Sequence, residues 1–184
     1  MNWRNTSERY GSWAIGLHWL MLLLIAAVYA CIELRGIFPK GSDGYNGMKQ
    51  WHFMLGMLVF WLAIVRLALR PVMPRPRIQP PPPVWQERLA SLVQILMYAL
   101  MLGLPLAGWL MFSASGKPVP FFGLDLPPLI DANKALAKQI KQVHETVANI
   151  GYGLIGLHAA AALFHHYWMH DNTLLRMLPA RRKV

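Results

Sequence analysis

Four long stretches of this 184-residue chain contain no Asp, Glu, Lys or Arg: Tyr10 to Ile32, Gln50 to Val65, Leu89 to Gly116 and Thr146 to His170. A helix needs about 20 predominantly apolar residues to cross roughly 30 Å of hydrocarbon. The second stretch is the shortest. It continues as Arg66, Leu67, Ala68, Leu69 and Arg70, and terminal arginines can reach back to the headgroups. With 55% hydrophobic and only 14% charged residues, the chain is too apolar for a soluble domain of its length. The predicted fold is an all-α membrane protein, a four-transmembrane-helix bundle in a single domain over 1–184, with helices at about 10–33, 48–70, 89–114 and 141–170.

Arg4 and Arg9 ahead of an apolar run, with Val28-Tyr29-Ala30-Cys31 behind them, also have the outline of a lipoprotein signal. The run is long for one, and a helix is the better reading. The net charge of +10 would suit a nucleic-acid partner, but its distribution argues for a membrane. Arg4 and Arg9 precede the first helix. Arg66, Arg70, Arg75, Arg77 and Arg88 surround the link between helices two and three, and Arg176, Arg181, Arg182 and Lys183 close the chain. These segments lie on one side of a four-span bundle. The other side offsets Arg35, Lys40, Lys49, Lys117, Lys134, Lys138 and Lys141 with Glu33, Asp43, Asp125, Asp131 and Glu145. Because cytoplasmic loops carry the excess of Lys and Arg, both termini are expected in the cytoplasm and the protein in a bacterial inner membrane.

The link Pro71 to Trp85, PVMPRPRIQPPPPVW, cannot be helical, because proline lacks a donor and restrains its predecessor. It reads as an extended cytoplasmic connection, with partner docking through a polyproline stretch as a second use. The link Lys117 to Gln139 mixes Phe121, Phe122 and Leu129 with prolines, which suits a segment folded back on the outer surface. Trp13, Trp19, Trp51, Trp61, Trp109 and Trp168 fall mostly towards span ends, where amphipathic rings anchor in the headgroups. The sequence shows no internal repeat and no phosphate-binding glycine loop.

Histidines carry the chemistry. His18, His52, His144 and His158 lie in or at the edge of the spans, where an ionisable group is costly without a partner or a task. His144 and His158 are 14 residues apart, a rise of about 21 Å with both side chains within about 40° of one helix face. Helix four could therefore hold cofactors at two depths. With cytoplasmic termini, His158 shares its depth with His18 and His144 with His52. Two axial imidazoles per iron leave no open position for oxygen chemistry and suit electron transfer by haem. Two such haems would form a wire across the bilayer, so the four histidines are the expected haem-iron ligands.

Helix packing competes as an explanation, since membrane helices also use histidine as interhelical glue. Four residues that pair by depth favour haem. Zinc would gather its ligands at one point. A lone Cys31 and no C-x-x-C-H sequence exclude an internal disulfide and covalent c-type attachment. Gly151, Gly153, Gly156 and Ala159 to Ala162 thin the fourth helix, which suits either a porphyrin face or close packing. His165, His166 and His170, followed by Asp171 and Asn172, lie at its cytoplasmic end, where histidine suits proton delivery or an interfacial cap.

IGLHWL around His18, ELRGIFPKG, and HETVANIGYGLIGLHAAAALFHHYWMHDNTLLRMLP from His144 together resemble the bacterial cytochrome b561 family, over nearly the whole chain. The resemblance implies two noncovalent haems b, with His18, His52, His144 and His158 matching the family's ligands. It also implies a superoxide oxidase, which oxidises superoxide at the periplasmic face and reduces ubiquinone. Lys49, Lys138 and Lys141, with Arg35 and Lys40, could steer the superoxide anion. Ser12, Arg66, Arg70, His165 and His166 are, by depth, candidate contacts for the quinone or its protons. The implied partners are membrane lipid, quinone and superoxide, with no nucleic acid. The rival functions are an electron-transfer subunit fed by a partner dehydrogenase or hydrogenase, and a redox-silent membrane protein whose histidines only pack helices.

Overall fold

The computed structural model describes residues 3–179, so Arg181, Arg182 and Lys183 lie outside the described residues. Four long helices account for most of it: α1 (Ser12–Leu34), α2 (Asp43–Leu69), α3 (Val84–Ala114) and α4 (Lys134–Tyr167). All four are long and apolar enough to cross a membrane.

The helices run past the uncharged stretches because local capping extends them. At the start of α2 the Ser42 side chain accepts from the Tyr45 N–H and Asp43 sits in the first turn, where a negative charge meets the positive end of the helix dipole. The polar turn Asp43 to Gly47 is therefore helical, and α2 begins five residues before the expected 48. Asn133 caps α4 in the same way, accepting from the Leu136 N–H, so that helix starts at 134 rather than 141. At 34 residues α4 is about 51 Å long, well beyond the hydrocarbon thickness, and its first turns project outside. Its other end stops at Tyr167 rather than 170, because His170 takes a left-handed φ of 51° and turns the chain back. The third helix begins at Val84, directly after the proline run.

The core is small. Met21, Val59, Ala63 and Met101, from α1, α2 and α3, form its buried cluster. Many other large apolar side chains are exposed: Leu23, Ile95 and Leu157 are 67%, 61% and 52% accessible. That surface suits lipid, which is as apolar as the side chains themselves and leaves close packing to hold the helices.

The link between α3 and α4 folds back on the bundle. Strands β1 (Val119–Phe121) and β2 (Leu124–Leu126) form an antiparallel hairpin. Phe122 and Gly123 between them both have positive φ, as a two-residue hairpin turn requires. The hairpin packs on α2 and α3. Trp109 Nε1 donates to the Pro127 carbonyl at 2.9 Å, and the Leu129 N–H donates to Ser113 Oγ at 3.0 Å.

At the opposite end the proline-rich link is held by the chain itself. Arg77 N–H donates to Ser7 O, Asn5 Nδ2 to Pro74 O, and Arg176 Nη1 to Pro76 O. Asn172 accepts from the Gln79 N–H through Oδ1 and donates its own N–H to Gln79 O. Arg9 reaches the carbonyls of Leu175 and Leu178, and Trp19 that of Met177. The two terminal segments and the link thus make one cap over that end of the bundle.

Ser113 is 2% exposed and is the polar anchor of the link that follows the hairpin. Replacing it by alanine leaves the Leu129 N–H unpaired, at a cost of about 1–2 kcal/mol. Thermal unfolding in detergent is expected to show a lower Tm for Ser113→Ala with unchanged helical content.

Candidate functional site

One line of α4 organises the site. His144, Gly151, His158 and His165 recur every seven residues, two helical turns that return within about 20° of the same face. Three imidazoles and one bare backbone position thus look the same way at successive depths.

The other helices bring matching rings to that line. His18 of α1 faces His158 with ring centroids 6.2 Å apart, and His52 of α2 faces His144 at 6.3 Å. With a metal–imidazole bond of about 2.0 Å on each side, two ligands on opposite faces of one metal put their ring centroids about 6 Å apart. No hydrogen bond joins the rings of either pair. The rings are tilted by 59° and 69°, and edge-to-face rings also pack at such distances, so the spacing admits a metal without requiring one.

Helix packing leaves room between the rings. The backbones of α1 and α2, α2 and α3, and α3 and α4 pack closely, whereas α4 makes no such seam with α1 or α2. The rings face one another across this gap, and an apolar cavity opens between the helices, lined by Val28, Tyr29, Gly56, Val59, Leu104 and Ile155 among others. Gly56 lies one turn beyond His52, and a Cβ there would meet nothing within 4 Å.

The pair His52 and His144 shows how rings are oriented. His52 Nδ1 lies 2.9 Å from the Val28 carbonyl. As a donor there it fixes the tautomer and aims Nε2 at the partner ring, the usual outer-shell support of a ligating histidine. His144 Nδ1 is buried, with the Leu104 carbonyl near enough to act on the ring, and its Cε1 lies 3.7 Å from the place a Gly108 Cβ would take. A flat, apolar macrocycle carrying a metal fits this donor set and this space.

Between the two pairs stands Tyr29. Its hydroxyl donates to the Ala148 carbonyl at 2.8 Å, and its ring lies 4.3 Å from that of Tyr152, centroid to centroid. Tyr152 in turn donates to Glu33 Oε1 at 3.0 Å. A Cβ on Gly151 would fall 2.5 Å from the Tyr29 oxygen. Gly151 is therefore the small residue that α4 needs for close approach. Gly153 and Gly156 are exposed, and a Cβ on either would meet nothing within 4 Å, so they form no packing seam.

The remaining candidates separate by place. Arg66 is near enough to His18 and His158 for its charge to act on both rings. Arg70 is engaged elsewhere: it donates to Gln94 Oε1 at 2.8 Å and lies over the Tyr98 ring. Ser12 opens α1, and His165 and His166 lie in the last turn of α4, all three partly buried. At the other end Lys49 lies over the Tyr45 ring three residues before His52. Lys138 and Lys141 are exposed on the projecting part of α4, and Lys141 is paired with Glu145 at 3.5 Å. These three cations do not share one cluster with the rings.

Sequence reasoning passed over Tyr29, the Val28 carbonyl and the special need for glycine at 151. The seven-residue recurrence of His144, His158 and His165 around Gly151 was the available signal. Nothing in the sequence marks Tyr29 as the residue that meets it.

Comparison with known proteins gives consistent matches over nearly the whole chain. Residues 9–180 match a family model described as prokaryotic cytochrome b561. The chain is 47% identical to cytochrome b561 homolog 1 of Escherichia coli K12 over 175 residues, covering 95% of this chain and 99% of the relative. It is 39% identical to a probable superoxide oxidase, CybB, of Yersinia pestis, covering 95% and 98%. Cytochrome b561 homolog 2 of the same E. coli strain is 29% identical, covering 97% and 95%.

A methyl group at position 151 must displace the Tyr29 hydroxyl, whereas the ring carbon behind that oxygen is 3.8 Å away, an ordinary contact. Gly151→Ala is expected to cost about 1–3 kcal/mol through overpacking, and Tyr29→Phe placed on top of it to return part of that loss. A double-mutant cycle on thermal unfolding reads the coupling; strictly additive effects would contradict the predicted contact.

Proposed function

The chain belongs to the prokaryotic cytochrome b561 family, a family of haem b membrane proteins, and from that premise we propose that it is a two-haem superoxide:ubiquinone oxidoreductase. The observation that carries this reading is the pair of ring separations, 6.2 and 6.3 Å, at two depths of one gap. The likeness to a probable superoxide oxidase directs it to superoxide.

In this proposal His18 with His158, and His52 with His144, would each hold one haem. Haem b held by each pair would supply a one-electron carrier. The chain's own residues do the rest. Val28 holds His52 in the ligating tautomer. Gly56 and the apolar side chains beside it keep water from the gap, and Gly151 lets Tyr29 brace α1 against α4 between the two levels.

Both termini and the capped end face the cytoplasm of a bacterial inner membrane, and His52 and His144 lie towards the periplasm. Superoxide is a small anion, and Arg35, whose charge acts on His52, joins Lys49, Lys138 and Lys141 in making the outer face attractive to it. Quinone is reduced at the capped end, where the charge of Arg66 acts on the inner pair and where Ser12 opens α1 and His165 and His166 close α4. Two superoxide ions release two molecules of oxygen and two electrons, and one quinone takes both electrons with two protons to become quinol.

The purified protein is expected to hold two haems per chain, both reduced by a superoxide-generating system and reoxidised by a ubiquinone analogue. His52→Ala and His144→Ala should remove the same spectral component, and His18→Ala and His158→Ala the other. Two haems indifferent to superoxide would point instead to a carrier fed by a partner dehydrogenase, and a colourless protein would end the haem reading.

A further inference from the structure

Just past α4 the chain turns back on itself. His170, in the left-handed region at φ 51°, reverses its direction, and the Asp171 N–H then donates to the His165 carbonyl at 3.1 Å. The same reversal sets the Asp171 carboxylate against the ring of His165, with Nδ1 to Oδ2 at 2.5 Å. Asp171 is 5% exposed, and its other oxygen accepts from the Thr173 N–H at 2.8 Å.

A carboxylate is badly placed there on ordinary grounds. The C-terminal end of a helix carries the negative pole of its dipole and favours cations, and burial of a charge is costly unless it is paired. Besides His165 of α4, the groups that act on Asp171 are Thr173 beside it and, at longer range, Arg176, which is itself 8% exposed and lies over the ring of Tyr10. Burial alone would raise the Asp171 carboxyl, but the hydrogen bonds from His165 and Thr173 outweigh it and hold it below its ordinary value. Asp171 is thus ionised at neutral pH, and the ring of His165 is its side-chain hydrogen-bond partner.

His165 lies two turns beyond His158 on the same face of α4. With Nδ1 committed to Asp171, its Nε2 is the nitrogen free to exchange a proton, in the way a buried carboxylate orients a catalytic imidazole. We propose that Asp171 is a positioning residue that holds His165 as the proton donor to the quinone reduced beside the inner histidine pair. This rests on the quinone reading above. For each quinone, two electrons arrive from two superoxide ions; the imidazolium gives a proton from Nε2 to a quinone oxygen, is reprotonated from water at the capped end, and gives a second. Asp171 stays ionised throughout and stabilises the charged ring.

The test uses the full chain with its haems and separates the two half-reactions. In Asp171→Asn, haem content and haem reduction by a superoxide-generating system are expected to match the parent. Reoxidation by a ubiquinone analogue should slow at least about tenfold near neutral pH, with its pH profile moved to lower pH. Asp171→Glu should recover most of the rate, and Asp171→Asn should add nothing on a His165→Gln background, since it acts through that ring. Parental reoxidation by D171N across the pH range, or further slowing when D171N is added to H165Q, would overturn the proposal. Should D171N fail to retain haem, H165Q alone decides: an unchanged reoxidation rate and pH profile would refute the donor. If superoxide reduces the parent protein's haems but quinone fails to reoxidise them, the quinone reading itself falls, a result distinct from any of these.

Discussion

An imidazole within the hydrocarbon of a membrane needs a partner, and here four of them meet in one gap. Everything around them is arranged to keep that gap. Helix α4 packs along α3 and stands away from α1 and α2, so that His144 and His158 reach across to His52 and His18 rather than into a side-chain core. The cost is a sparse interior, since the buried cluster of Met21, Val59, Ala63 and Met101 belongs to the other three helices. A bundle built this way depends on what fills the space between its helices, a natural condition for a protein of a haem-binding family.

Close contact between α1 and α4 is therefore concentrated in few places. Tyr29 in the notch of Gly151 is the clearest, midway between the two histidine levels. At the end that carries both termini, the polar cap takes over: Arg9, Trp19, Asn172 and Arg176 tie the terminal segments and the proline-rich link together through backbone carbonyls and amides. Proline leaves its own segment's carbonyls without an internal partner, and these side chains and amides satisfy several of them. Basic residues at this end thus have structural work beyond any preference for one side of the membrane.

Sequence alone determined the four spans, because an uncharged run of about 20 residues has few other uses. It also put His144 and His158 on one face at two depths, because the helical repeat turns their spacing into a shared face. The family followed from the long motif starting at His144. Helix ends were less legible, since Ser42 and Asn133 extend α2 and α4 through polar turns that hydropathy assigns to loops. Only the tertiary structure decided the ring separations, the open seam beside α4, the meeting of Tyr29 with Gly151, and the return of Asp171 to His165 through a left-handed His170. Each joins residues whose relation rests on backbone reversal or helix spacing, and a one-dimensional pattern of polarity carries no record of either.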